Sequence, residues 1–227
     1  MQKIKKTDWD GYKEGTDYQF ATPEFLLGHW SAYSFFNDPK HLSFVLARYK
    51  FCAKMLQGKD LVIEIGFGDG FGIPIIAKEV KHLVCVDWDK RHIDDCKRRL
   101  KHLKNVTFEH IDLNNDYLKI QADAAYSIDV IEHLDPEKEN DFYANTCKML
   151  KEDSVLITGT PNVTANQYAT ERSRVQHINL KSMEELKKIT EDRFKFAFMF
   201  GMNDEVLHTG YSPMCHYIWS IGAGKKY

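Results

Sequence analysis

From Leu61 onward, short β-branched and apolar runs alternate with amphipathic charged stretches, a pattern that predicts strand-helix units winding a largely parallel sheet. Strands are predicted at 60–65, 82–87, 107–111, 124–128 and 154–159. Helices are predicted between them at 71–80, 89–103 and 136–150, with Asp89 and Asp135 as N-caps and Pro136 at a first helical position. Upstream, Asp38-Pro39 starts a helix through Leu56, with Leu42, Val45, Leu46, Tyr49, Ala53 and Leu56 on one apolar face. Residues 9–37 read as aromatic and irregular. Downstream, Ser182 and Glu185 form a capping box for a helix at 182–190, and aromatic-rich runs at 194–200 and 214–221 suggest an antiparallel edge pair.

A chain of 227 residues with 43% hydrophobic content can bury one sizeable core. The expected organisation is one domain, in which 1–57 forms an N-terminal lid and helix and 58–227 the catalytic body. Lys+Arg 31 against Asp+Glu 33 leaves no global basic field, so a nucleic-acid partner is not expected. Five separated cysteines without a CxxC pair fit reduced thiols, and no apolar signal core or membrane-length run is present in the sequence. A cytoplasmic protein without a membrane partner is expected, acting on a small-molecule acceptor, with a homodimer compatible.

The most informative stretch is Leu61-Val-Ile-Glu-Ile-Gly-Phe-Gly-Asp-Gly-Phe-Gly72, an apolar strand running into alternate glycines and then a helix. Backbone must approach something closely there. Dinucleotides and S-adenosylmethionine (SAM) both use such a turn. The loop carries Glu64 and Asp69 with no Lys or Arg between Leu61 and Pro74, which disfavours a pyrophosphate and suits a sulfonium and an ammonium. Phe71 also falls where the dinucleotide fingerprint needs its third glycine. Asp87 then ends the second strand, where a carboxylate can accept two ribose hydroxyls, and Asp112 follows the third strand within reach of an adenine amine.

Glu64-Ile-Gly66-Phe-Gly68-Asp69-Gly70, Asp87, Asp112 and Ile128-Asp-Val-Ile-Glu-His-Leu134 together resemble successive motifs of the class I SAM-dependent methyltransferases. The resemblance covers roughly residues 60 to 160. It implies a Rossmann-like, doubly wound α/β sheet of seven strands, mostly parallel with an antiparallel last strand. It also implies that the glycine loop contacts the methionine moiety, Asp87 holds ribose, Asp112 faces adenine, and Trp88 and Leu113 pack on the adenine ring. The block Leu27-Gly-His-Trp-Ser-Ala-Tyr-Ser34, with Asn37 to His41, looks like methyltransferases of bacterial surface-polysaccharide pathways. An NAD-dependent oxidoreductase of Rossmann type and a non-catalytic SAM-binding protein are the competing readings.

Methyl transfer from a sulfonium is an in-line displacement, so positioning supplies much of the catalysis, but a hydroxyl acceptor must also lose its proton. Asp129, Glu132 and His133 leave the fourth strand together, and Asp129 would also touch the donor. His133 and His177 are candidate bases, assisted by Asp129; Glu132 and His133 equally read as residues that cap and pack the turn. Asp129, Glu132, His133 and His177 further resemble the acid-acid-His-His metal ligands of ubiquinone-pathway and small-RNA-end O-methyltransferases, with Asp129 departing from the Glu often found there. Tyr168, Arg172, Arg174 and His177 lie where that family places acceptor contacts, and two arginines suit an anionic group. Tyr18, Phe20, Trp30 and Tyr33 are candidate lid aromatics. The run Lys97-Arg98-Arg99-Leu-Lys101 reads as a solvated helix face.

Overall fold

The computed structural model describes residues 25–226. Two helices, α1 (His29–Asn37) and α2 (His41–Leu56), precede strand β1 (Leu61–Ile65). The chain continues through α3 (Ile73–Ala77), β2 (His82–Asp87), α4 (Lys90–Arg99), β3 (Val106–His110) and β4 (Ala122–Ile128). Then follow α5 (Glu139–Lys148), β5 (Leu150–Pro161), α6 (Glu171–Gln176), α7 (Met183–Glu191), β6 (Phe194–Asn203), β7 (Val206–His208) and β8 (Tyr217–Lys225).

The strands form one sheet of order β3-β2-β1-β4-β5-β8-β6-β7. β1 to β5 are mutually parallel, and β8 runs antiparallel between β5 and β6. This is the mostly parallel, doubly wound arrangement read from the sequence, with two corrections. Among the described residues there are eight strands instead of seven, because β6 folds back through Asp204, at φ 52, into the short β7. The aromatic runs do pair antiparallel, but β8 lies inside the sheet, and its strand begins at Tyr217 because Ser212–Met214 is a single 3₁₀ turn.

Successive side chains of β1 go to opposite faces, as strand pleating demands. Val62 joins a core with Tyr49, Cys52, Leu56, Ile73 and Ile93 under α2, α3 and α4, whereas Ile63 and Ile65 join Phe142, Tyr143 and Leu186 under α5 and α7. Asp89 and Asp135 cap as predicted, accepting from the Arg91 and Glu137 amides, and Ser182 with Glu185 forms the capping box. The irregular N-terminal segment is corrected in part: 29–37 is helical. Gly28, its N-cap, offers no side chain, and a Cβ there would sit 2.4 Å from that of Asp69. Asp69 supplies the missing cap from the glycine loop, its Oδ2 accepting from the Ser31 amide and hydroxyl at 2.7 Å each. Among the described residues no helix is long and apolar enough to cross a membrane, and all five cysteines are free thiols.

Candidate active site

Parallel topology brings the ends of β1, β2, β3, β4 and β5 to one edge, where ligands bind in open α/β sheets. Gly66, Gly68 and Gly70 lie there with φ of 69°, 55° and 70°, a left-handed region that only glycine enters freely. The loop is pinned from both sides. A Cβ on Gly66 would meet Val130 Cγ2 at 2.6 Å, and one on Gly72 would enter the Tyr49 ring.

Of the five acids read as ligand contacts, the four on β1, the glycine loop, β2 and the turn after β3 occupy different places. Glu64 is buried beneath the loop beside Tyr49, Tyr126 and Cys85, whose Sγ donates to Oε2 at 3.7 Å, and burial pushes its pKa up to about 7. Strand alternation sends it under α2, so its carboxylate does not reach the open face of the loop. Asp69 is turned to Ser31, and Arg99 donates to the Asp69 carbonyl while pairing with Asp95 at 2.7 Å. A cation absent from the loop's own sequence therefore braces it from α4. Asp87 stands at the end of β2, accepting from the Gly68 amide at 3.1 Å and the Asp89 amide at 2.8 Å. His92 Nδ1 approaches it at 3.3 Å, and this hydrogen bond raises the imidazole pKa. Asp112 closes its own turn, accepting from the Asn114 amide and the Asn115 side chain. Trp88 is 69% exposed beside Asp87, a free aromatic face, whereas Leu113 is buried.

β4 ends in a second strained turn. Asp129 is left-handed, with φ 57, and its Oδ2 accepts from Arg48 Nη1 at 2.7 Å. Arg48 comes from α2, lies over the Tyr217 ring at 3.9 Å, and was not singled out from the sequence. Three residues on, Glu132 is fully buried; its Oε2 accepts from Thr160 Oγ1 at 3.0 Å and its Oε1 has no partner. Burial, then the charge of Asp129, pushes its pKa up to about 8.

Residues 62–153 match the family model described as a methyltransferase domain. Over that stretch the chain carries a methyltransferase domain. No curated protein matches the chain significantly. Among solved structures, it resembles the methyltransferase domain of bacterial CtHen1-C at 20% identity and TM-score 0.66, covering 79% of this chain and 98% of that one. It also resembles the N-methyltransferase NodS of Bradyrhizobium japonicum WM9 bound to S-adenosyl-L-homocysteine (SAH), at 15% identity and TM-score 0.62, covering 93% and 97%. A third relative in fold is DhpI in complex with SAH, at 14% identity and TM-score 0.59, covering 95% of each chain. The nicotinamide reading falls with the domain match, in agreement with Phe71 standing where close packing would need glycine.

Beyond the end of β4, Glu132, His133 and His177 converge, each offering a ligand atom within 4.8 Å of the others. His133 Nδ1 lies 3.1 Å from the Gln176 carbonyl; donation there leaves Nε2 with its lone pair. The His133 and His177 rings meet edge to face at 5.0 Å, and burial followed by the His133 charge lowers the His177 pKa. Asp129, read as a fourth member of this set, is instead paired with Arg48. His177 also lines a cavity of about 360 Å³ together with Phe44, Asn162, Asn166, Tyr168 and His216.

The two arginines expected to hold the acceptor do not line that cavity. Arg172 lies over the Trp30 ring at 4.6 Å and the Tyr33 ring at 5.6 Å, tying α6 to α1, because a planar guanidinium stacks on an aromatic face. Arg174 is solvent-exposed on α6. Trp30 and Tyr33 thus occupy a position suited to a lid, while Tyr18 and Phe20 lie outside the described residues.

Proposed function

We propose that the chain transfers the methyl group of SAM to an oxygen of a small acceptor seated in the cavity between Phe44, Tyr168 and His177. The acceptor is proposed to be a sugar or phosphoryl-bearing precursor of surface-polysaccharide assembly, with a cytoplasmic location and a small molecule as the partner. The observation that carries the oxygen assignment is the meeting of Glu132 and His133 with His177, which itself lines the cavity. A hydroxyl acceptor must lose its proton as its oxygen attacks, and a neutral imidazole so placed can take it, whereas an amine bound unprotonated already carries a free lone pair.

His177 is the residue proposed to receive the acceptor proton. Its lowered pKa keeps the imidazole neutral near pH 7, able to accept a proton as the oxygen attacks. His133, whose Nδ1 is engaged by the Gln176 carbonyl, stands beside His177 with Nε2 left to accept. Tyr168 and Phe44 offer apolar surface against which an acceptor ring can orient, and positioning of this kind lowers the barrier to displacement.

The same donor set fits a divalent cation: one buried carboxylate oxygen without a partner and two imidazoles. Glu132, His133 and His177 would hold it, and when bound it would polarise the acceptor oxygen. His177→Ala is expected to cut turnover by about 100-fold or more with SAM affinity nearly unchanged, measured by SAH release and by calorimetry. Equal loss of both would remove the proton-transfer role. Turnover of the wild-type enzyme after exhaustive chelation addresses the cation separately, and full retention would leave the imidazoles acting alone. Failure to consume SAM with a panel of nucleotide sugars and phosphoryl precursors would favour a binding protein without catalysis.

A further inference from the structure

His177, proposed to take the acceptor proton, sits on a segment with little packing of its own. No residue from Val163 to Ile178 is buried, neither in the 3₁₀ turn Val163–Tyr168 nor in α6. Such a stretch opens locally at small cost. Proton transfer nevertheless needs the His177 ring held in place, and that ring meets His133 at 5.0 Å. The segment is bounded by two buried asparagines, Asn162 and Asn179, at 2% and 5% exposure. Asn162 is committed to the 212–215 turn, its Nδ2 donating to the Ser212 and Cys215 carbonyls. Asn179 is committed to the turn that carries His133.

The Asn179 amide donates to the Glu132 carbonyl at 3.0 Å, and its Nδ2 donates to the Ile131 carbonyl at 3.2 Å and to Glu139 Oε2 at 2.8 Å. Its Oδ1 accepts from Lys181 Nζ at 2.7 Å, and Lys181 also pairs with Glu139 at 2.8 Å. A lysine only donates and a carbonyl only accepts, so the orientation of the carboxamide is fixed and both its N–H groups are used. The Lys181 and Glu139 side chains are at most 16% exposed, where such bonds are stronger than in water. Ile131 and Glu132 directly precede His133, and Asn179 follows His177 by two residues. Two extended residues span about 7 Å, which keeps the rings within reach of each other. With the Asn179 side chain gone, water reaches the remaining backbone bond. The next anchor is then the Lys181 carbonyl, which accepts from the Val163 amide, and the tether to His177 lengthens to about 14 Å. The other ties, His133 with the Gln176 carbonyl and Arg172 over Trp30, join exposed groups.

We propose that Asn179 is the positioning residue of this site: by bonding the backbone of Ile131 and Glu132 it sets the His177 ring against His133 in the geometry that takes the acceptor proton. The inference rests on the reading of His177 as the proton acceptor. Asn179 does not line the cavity, so it acts through His177 and not on the acceptor. Aspartate is the informative substitute, because it has the same shape and keeps an oxygen for Lys181 but has no N–H for Ile131 or Glu139.

N179A, N179D, H177A and H177A/N179A are compared for turnover with the panel of nucleotide sugars and phosphoryl precursors and for SAH affinity by calorimetry. The nuclear Overhauser cross-peak between the two imidazoles is read in histidine-labelled protein and assigned with H133Q and H177Q. N179A and N179D are expected to lower kcat by about 30- to 100-fold, with KM for SAM and SAH affinity changed by less than about two-fold and the cross-peak lost. H177A/N179A should be no slower than H177A, since a residue that acts through a ring has no effect once the ring is gone. N179D/E139Q reverses donor and acceptor in the Glu139 contact and still lacks the bond to Ile131. It should melt near the wild type yet remain slow, and it serves if N179A does not fold. Unchanged kcat, a cross-peak absent from the wild type or persisting in a slow variant, or a further loss in H177A/N179A would each overturn the proposal. So would SAH affinity falling in step with kcat, the mark of general loosening. H177A as fast as the wild type, or a wild type inactive across the panel, would remove the reading of His177 itself, whereas a slow H177A beside a fast N179A removes only the role of Asn179.

Discussion

Gly66→Ala is expected to lose turnover by about 100-fold or more while the protein remains folded. The Cβ would be introduced at φ 69, where an L-residue is strained by about 1–2 kcal/mol, and 2.6 Å from Val130 Cγ2. Val130 cannot simply withdraw, because the backbone on either side of it is fixed: Asp129 is tied to Arg48, and Glu132 to Thr160. The loop has to move instead, and displacement of reacting groups by about 1 Å can cost about 100-fold in rate. Val130→Ala in the same chain removes the clashing methyl and should recover part of the loss, leaving only the backbone strain. Gly68→Ala is the contrasting case. Nothing lies within 4 Å of its added Cβ, so the left-handed backbone at φ 55 is its one source of strain, about 1–2 kcal/mol, and melting should fall by no more than that allows while SAH affinity falls. Turnover and SAH titration on the three variants decide the matter; a normal rate for Gly66→Ala would show that the loop does not hold the donor.

The glycine loop was legible because its constraint is local. Alternate glycines after an apolar strand report a backbone that must be left-handed, whatever the rest of the chain does. The caps at Asp89, Asp135 and Ser182 were legible for the same reason. What the acids do was not, since a carboxylate's partner is set by distant packing. Asp69 looked like a donor contact and is the cap of a helix 38 residues away in sequence. Glu64 looked like a charge facing the ligand, yet period-two alternation of a fully buried strand already put it on the opposite face from Ile63 and Ile65, under α2. Arg48 was missed because its partner Asp129 is 81 residues away. A signal was present nonetheless: Arg48 lies four residues before Cys52, on the same side of α2 as a fully buried position, where a solvated arginine would not be expected. The arginines that were read as acceptor contacts, Arg172 and Arg174, sit in a sequence of polar residues that carries no periodic signal, and only the tertiary structure brings Arg172 onto Trp30 and Tyr33.

Glu132→Gln is expected to stabilise the protein at pH 8 while reducing turnover by about 100-fold. The folded-state pKa of Glu132 is about 8, against 4.5 for the same group in an unfolded chain. The folded protein therefore holds a proton that the unfolded chain releases, and stability falls as pH rises from about 4.5 through 8. Below that window the carboxyl is neutral in both states and exacts no penalty. At its upper end the penalty reaches a few kcal/mol, on the basis of about 1.4 kcal/mol for each pH unit. Glutamine keeps the shape and can accept from Thr160 Oγ1 as Glu132 Oε2 does, but it does not titrate. The melting temperatures of variant and wild type should thus diverge steadily between pH 5 and pH 8. The variant will retain a shallower slope of its own from Glu64, whose folded-state pKa is raised to about 7 by burial. Its activity should fall because an amide can neither give up a proton to bind a cation as a carboxylate does nor ionise beside the imidazoles as pH rises through 8. Parallel melting profiles would show that Glu132 is ionised in the folded enzyme, and unimpaired turnover would remove it from the chemistry at the cavity wall.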